Sequence, residues 1–195
     1  MRSLFERVTG RNIPPPDAPD VVERCLFCNV SPERDFRIVA ENDRFVVFRD
    51  KYPAARAHLL VTPRVHIPNT SNLGQGDVEL VKAMHALGME ALDSLQQAEG
   101  TAASKGKGPG RPPKYIFGFH VPPFRSVDHL HLHCLQMPYL SKRQGLKYPI
   151  SEPPFSHSSG SSGKTQYFKG TGWFVTAEQA VDILAAGRKI GFGPC

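Results

Sequence analysis

Short runs in which apolar and polar residues alternate cover Phe36–Val39 and Arg44–Arg49, with the turn-forming Glu41-Asn42-Asp43 between them. Period-two alternation broken by a polar turn predicts two strands. His58–Thr62 reads as a third strand, stopped by Pro63. The period then changes. Val78, Leu80, Val81, Met84, Leu87, Leu92 and Leu95 gather on one side of a helix over 77–97, with Asp77 as its expected N-cap. Strands resume at Tyr115–Phe119 and Leu130–Gln136, and Trp173-Phe174-Val175 forms a short one. Thr176-Ala177-Glu178-Gln179 has the pattern of a capping box, in which the Thr and Gln side chains bond each other's main chain. It opens a short helix running to Gly187. Strands, a helix and further strands imply an α+β fold with helices on one face of a sheet.

The pattern lapses in three places. Residues 1–24, with Pro14-Pro15-Pro16, form a lead without periodicity. The segment 98–113 is a low-complexity run of Gly, Lys and Pro, expected as a flexible insertion. Residues 151–165 are a Ser-, Gly- and Pro-rich loop. The rest, 25–190, is expected to be one domain, with 191–195 as a tail. No internal repeat is present.

Composition changes this picture little. Of 195 residues, 40% are hydrophobic and 22% charged, as in soluble globular chains. No apolar run is long enough to span a bilayer, so no membrane association is expected. Met1–Asn12 lacks the apolar stretch of a secretory signal. Four cysteines in a chain of this size do not suggest a disulfide scaffold, and a reducing compartment, cytosol or nucleus, is expected. Charge is uneven: residues 101–150 hold eight Lys or Arg against a single acid, Asp128. A local positive field attracts anions such as phosphates or nucleic acid, though a solvated basic loop has the same composition.

The most informative segment is Asp128-His129-Leu130-His131-Leu132-His133-Cys134-Leu135. In extended chain the three histidines share one face, and Leu130, Leu132 and Cys134 share the other. Successive histidines then sit roughly 6.5–7 Å apart, close enough to surround one phosphate or metal. Imidazole near pH 7 can attack, move protons or ligate a metal. A phosphoryl centre attacked by neutral imidazole yields a covalent phosphohistidine that water cleaves.

His129-Leu-His131-Leu-His133-Cys-Leu resembles the motif of the histidine-triad superfamily, three histidines alternating with apolar residues. Two flanking segments strengthen the resemblance. Ala57-His58-Leu-Leu-Val-Thr-Pro63-Arg-Val-His66-Ile67 is similar to the family's upstream strand. Gly118-Phe119-His120-Val-Pro122-Pro123-Phe124-Arg-Ser126 is similar to the segment before the motif in the aprataxin-related branch, which includes the third Hint-type adenosine phosphoramidases. Trp173-Phe-Val-Thr176 and its helix look like that branch as well. The resemblance covers roughly 25–190. It implies a histidine-triad fold, with an antiparallel sheet of about five strands and helices on one face.

The resemblance also implies roles. His131 matches the nucleophile, His133 a phosphate contact, and His58 the remaining site histidine near the proton relay. Ser126 matches a serine near the phosphate and leaving group. Asp50, by its spacing to His58, matches the ribose-binding acid, since a carboxylate can accept from two sugar hydroxyls. Phe27, Val30 and Phe48 match the base pocket, although plain core residues would look the same. First-branch Hint enzymes carry an Asn-Gly-rich phosphate loop where this chain has Phe119-His120-Val-Pro-Pro. There His120 is expected at the leaving group or phosphate.

Cys25-Leu-Phe-Cys28 reads equally as a zinc pair, buried thiols or a redox motif. Some histidine-triad proteins join such a pair to two histidines, which here would be His66 and His129. The resemblance thus implies a structural zinc and no organic cofactor. It implies a purine nucleotide as substrate and a homodimer as assembly. The activity it implies is hydrolysis of adenosine 5'-phosphoramidates through a nucleotidyl-histidine. Removal of AMP from adenylated DNA ends ranks second: the basic stretch favours it, but the C-terminal Cys/His cluster of aprataxin-type proteins is not matched. A nucleotide-binding module without catalysis is the third reading, and nucleic acid is not the favoured partner.

Overall fold

A computed structural model of the chain describes residues 22, 24–103, 114–150 and 172–192. Six strands form one sheet: β1 (Ile38–Glu41), β2 (Phe45–Arg49), β3 (Ala55–Pro63), β4 (Tyr115–His120), β5 (Leu132–Tyr139) and β6 (Phe174–Thr176). Their order is β1-β2-β3-β5-β4-β6, and every neighbouring pair is antiparallel. The expected antiparallel sheet of about five strands is present, with six strands among the described residues. Among the described residues three α-helices accompany the sheet: α1 (Val78–Ala103), α2 (Lys142–Gly145) and α3 (Ala177–Ala185).

Alternation along the strands separates two faces. Val47 on β2, Leu59 and Val61 on β3, Phe117 and Phe119 on β4, and Leu132 and Cys134 on β5 turn to one side. There they form the main core with Val81, Met84 and Leu92 of α1 and Ile183 and Leu184 of α3. The residues between them, Val46, Phe48, Leu60, Ile116 and Leu135, turn to the other side and join two smaller apolar clusters. Both faces are covered, so β3 is buried along almost its whole length, and its apolar run HLLV shows little alternation. Helix α1 comes close to the sheet at Gly88, where a Cβ would lie 2.5 Å from Cys134 Sγ.

Several boundaries differ from expectation for local reasons. The Leu130 N–H bonds Ile67 O instead of a strand partner, so β5 begins at Leu132 and not Leu130. Leu130 still turns into the main core. Asp77 is not the N-cap of α1. It closes a 3-10 turn (Gln75–Asp77) that runs into the helix, and its carboxylate accepts from the Gly74 N–H at 2.8 Å. Helix α1 continues to Ala103, so the first residues of the expected flexible insertion are helical. The capping box holds: Thr176 Oγ1 accepts from Gln179 N, and Gln179 Oε1 accepts from Thr176 N. Gly187, with φ +72°, ends α3 in the left-handed conformation that glycine adopts without steric cost. Most of the lead, residues 104–113, the 151–165 loop and Cys195 lie outside the described residues. No helix among the described residues is long and apolar enough to cross a membrane.

Candidate active site and metal cluster

The histidines converge on the face opposite α1 and α3. His133 of β5 lies between Leu60 of β3 and Gly118 of β4, while His58 of β3 pairs with Leu135 of β5. His120 ends β4, opposite Phe174 of β6. His131 immediately precedes β5, its ring centroid 5.0 Å from that of His133. The triad is buried: His129 is 0%, His133 5% and His131 9% exposed. The nucleophile candidate is therefore almost fully desolvated, more enclosed than a polar strand face would leave it.

Main-chain partners fix the tautomers, because an N–H can only donate and a carbonyl can only accept. The Ala54 N–H donates to His58 Nδ1 at 3.2 Å, so the His58 proton sits on Nε2. From there it donates to His133 Nδ1 at 2.9 Å. His133 Nε2–H then donates to His120 Nδ1 at 3.0 Å, and His120 Nε2–H to the Lys147 carbonyl at 2.9 Å. Three imidazoles thus form one directional chain with a backbone donor at one end and a backbone acceptor at the other. His131 is set separately. Its Nδ1–H donates to the His129 carbonyl at 2.6 Å, leaving the Nε2 lone pair uncommitted.

Burial holds all four rings neutral. Desolvation, reinforced by the neighbouring His120, pushes His131 down to about 4, against the pull of its bond to His129. Burial and then His120, His131 and Lys147 push His58 down to about 3. His133 is lowered well below the usual range, first by burial and then by His131, His58 and His120. His120 is lowered by burial as well. At neutral pH the cluster offers lone pairs and N–H groups without a permanent charge.

A cleft lined by His120, Arg125, Val127, His129, His131 and Asn69, among others, opens beside the triad. On another side of His131 lies an apolar cluster. The Phe27 ring is 5.3 Å from His131 and 5.3 Å from Phe48, while Val30, Phe36, Ile38 and Val127 pack against the same group. Sequence reading named Phe27, Val30 and Phe48 but missed Phe36, Ile38, Leu60 and Val127. Asp50, just past β2, accepts from the Tyr52 N–H at 2.7 Å, and its Oδ2 lies 3.6 Å from His58 Nε2. Burial raises its pKa. Ser126 is exposed and is not drawn into the imidazole chain. Nothing in the residue pattern marks the main-chain carbonyls of His129, Pro63 and Lys147, nor Tyr148, whose buried ring lies 5.1 Å from His120 and 5.4 Å from His133.

Cys25, Cys28, His66 and His129 form a second cluster. Their ligating atoms all lie within 4.8 Å of one another, close enough to hold a metal ion. Cys25 Sγ is 3.4 Å and Cys28 Sγ 3.6 Å from His129 Nδ1, and Cys28 Sγ is 3.3 Å from His66 Nδ1. His129 Nε2–H donates to the Pro63 carbonyl at 2.8 Å, which turns a bare Nδ1 toward the thiols. That is the arrangement in which a backbone acceptor orients a ligating imidazole. Without a cation the Cys28 thiol is pushed up to about 11, chiefly by burial. Cys134 is fully buried in the main core.

Residues 24–148 match the family described as scavenger mRNA decapping enzyme C-terminal binding. The chain is 35% identical over 138 residues to the bifunctional adenosine 5'-phosphosulfate phosphorylase/adenylylsulfatase HINT4 of Arabidopsis thaliana, covering 68% of this chain and 84% of that protein. It is 32% identical to the adenosine 5'-monophosphoramidase HINT3 of Danio rerio, with 84% of each chain covered. It is also 28% identical to aprataxin of Ciona intestinalis, over 78% of this chain and 33% of that one.

Proposed function

Because the chain belongs to the histidine-triad family that includes the scavenger decapping enzyme C-terminal domain, the Hint enzymes and aprataxin, we propose that it hydrolyses adenosine 5'-phosphoramidates. His131 is the nucleophile. The observation that carries this reading is the 2.6 Å bond from His131 Nδ1 to the His129 carbonyl, which leaves Nε2 bare in a desolvated pocket.

In the first step His131 Nε2 bonds to phosphorus and the P–N bond breaks. The bonding pair departs with the amine nitrogen, which takes up a proton. The imidazole becomes cationic as it is phosphorylated, and the His129 carbonyl on the opposite nitrogen stabilises that charge. In the second step water attacks phosphorus, the P–Nε2 bond breaks, and AMP leaves with a free imidazole. His133, its tautomer held by the His58 Nε2–H, turns its own Nε2–H from His120 Nδ1 to the phosphate. The leaving amine takes its proton from solvent in the cleft and the attacking water returns one there, because the Lys147 carbonyl that ends the imidazole chain accepts a hydrogen bond and not a proton. Ser126, on the segment leading into the triad, is assigned to the leaving-group side. Asp50 accepts from the ribose hydroxyls, and Phe27, Val30 and Phe48 enclose the purine, since their cluster adjoins His131.

We assign zinc to the cysteine–histidine cluster. A tetrahedral ion with Zn–S about 2.3 Å and Zn–N about 2.0–2.1 Å gives S···N edges of roughly 3.6 Å, and three such edges here measure 3.3, 3.4 and 3.6 Å. Bound zinc would hold its ligand thiols as thiolates and tie residues 25–28 to the triad. No organic cofactor is required. The reading goes with a reducing compartment, cytosol or nucleus, and with a homodimer of the kind the family resemblance implies.

The test is AMP release from adenosine 5'-phosphoramidate and, separately, from a 5'-adenylated DNA nick. Turnover of the small amide alone is the expected result. Efficient turnover of the nick with little of the amide would move the assignment to adenylated DNA ends, and binding without AMP release from either would make the chain a non-catalytic module.

A further inference from the structure

Beside the histidine chain lies an aromatic surface with no part in the mechanism above. The Phe124 ring lies 5.4 Å from Trp173 and 5.2 Å from Phe192, tilted by 40° and 41°. Phe124 is 47% exposed, although a ring of that size is normally covered in a folded chain. The surface is rigidly attached to the site. The Trp173 indole N–H donates to the Lys147 carbonyl at 3.2 Å, the same oxygen that receives His120 Nε2–H. The Val121 N–H donates to Trp173 O, and the Phe124 N–H to Val121 O, at 2.8 and 3.0 Å. Main chain thus fixes the backbone of both residues relative to β4 and β6, and the indole is held by its own N–H. Arg125, next to Phe124, lines the cleft with His120 and His131.

We propose that Phe124 and Trp173 form a stacking subsite for a planar aromatic ring on the amine that leaves phosphorus. This rests on the phosphoramidate reading and names the leaving-group class within it. The purine pocket and this surface meet different histidines: Phe27 contacts His131, whereas Trp173 shares the Lys147 carbonyl with His120. A nucleotide held by its base near Phe27 would therefore direct its leaving group toward His120 and the rings beyond it. The surface is built of rings, which favour flat partners in offset or tilted stacks. The indole is held by its bond to the Lys147 carbonyl and the Phe124 ring rests against Trp173 and Phe192, which limits the ordering needed on binding.

The experiment compares two AMP amides of similar size, one of 4-nitrobenzylamine and one of cyclohexylmethylamine, on the wild type and on Phe124→Ala. Intrinsic leaving ability cancels in the ratio of wild type to variant. The flat amide should lose about tenfold more kcat/KM than the saturated one on substitution. Equal losses, or none, would overturn the proposal. An AMP amide of 5'-amino-5'-deoxyadenosine shows whether a nucleobase serves as well as an aryl ring. A second readout does not need turnover. Trp173 is the single tryptophan of the chain, and the nitrobenzyl amide should quench its fluorescence more strongly than AMP does. Equal quenching would also overturn the proposal. Failure of the phosphoramidate reading has a different signature: no AMP is released from any amide, the unsubstituted one included, while quenching still reads the subsite.

Discussion

His129 bonds His131 through its main chain while its side chain belongs to the other cluster. Its carbonyl accepts from His131 Nδ1 at 2.6 Å, and its ring places Nδ1 3.4 Å from Cys25 Sγ. The nucleophile candidate and the metal cluster are therefore coupled through one residue. Whatever fixes the His129 ring also fixes the oxygen that orients His131.

Loss of the metal should therefore reach the chemistry. Purified protein is expected to carry one zinc per chain, measured by elemental analysis. Cys28→Ser should abolish it and lower the Tm by several degrees. It should also lower kcat by about tenfold, the usual scale for disturbing the partner that orients an active group. A metal-free variant with unchanged kcat would separate the two clusters.

Replacing His131 by Ala removes the attacking nitrogen but none of the apolar cluster around Phe48. AMP release should fall by at least about a thousandfold, while AMP binding by calorimetry stays within a few-fold of wild type. A variant that turns over normally would take His131 out of the nucleophile role.

The buried imidazoles give a signed pH dependence. An unfolded histidine titrates near 6.5, whereas burial holds His131 at about 4 and His58 at about 3 in the folded chain. Between those values and 6.5 the unfolded state binds more protons, so stability is full above about pH 6.5 and falls as pH is lowered. The slope reaches up to about 1.4 kcal/mol per pH unit for each such histidine. Urea midpoints should drop from pH 7 to pH 5. The acid limb of kcat/KM should lie nearer pH 4 than 6.5, and an inflection at 6.5 would show that the nucleophile is solvated.

Packing on the opposite face predicts a paired result. In Gly88→Ala the new methyl meets Cys134 Sγ at 2.5 Å and Val61 Cγ2 at 3.3 Å. The overpacking, about 1–3 kcal/mol, should outweigh the roughly 1 kcal/mol gain in helix propensity. Thermal melts should show a lower Tm for the single variant and partial recovery when Cys134→Ala removes the sulfur.

The strands, α1 and α3 were legible because their apolar periods are set by one dominant core. Thr176 and Gln179 were legible because a capping box is local. The start of β5 was not, since it depends on a distant bond from Leu130 N to Ile67 O. The histidines could be named because few chains alternate His and apolar residues three times. The atoms that determine their tautomers could not, since the carbonyls of His129 and Lys147 and the Ala54 N–H are present in every residue and only the fold selects them. Val127 escaped because a single apolar residue in a loop carries no periodic signal, and Phe36 because alternation marks a strand residue without telling core from pocket; the strand itself starts only at Ile38.

The most direct measurement is to mix the enzyme with adenosine 5'-phosphoramidate, quench in alkali, where phosphorus–imidazole bonds survive, and map the adduct by peptide mass spectrometry. The account predicts one adenylyl group on the peptide carrying His131, absent in His131→Ala. An adduct on His133, His120 or His58, or rapid turnover with no adduct at any quench time, would contradict it.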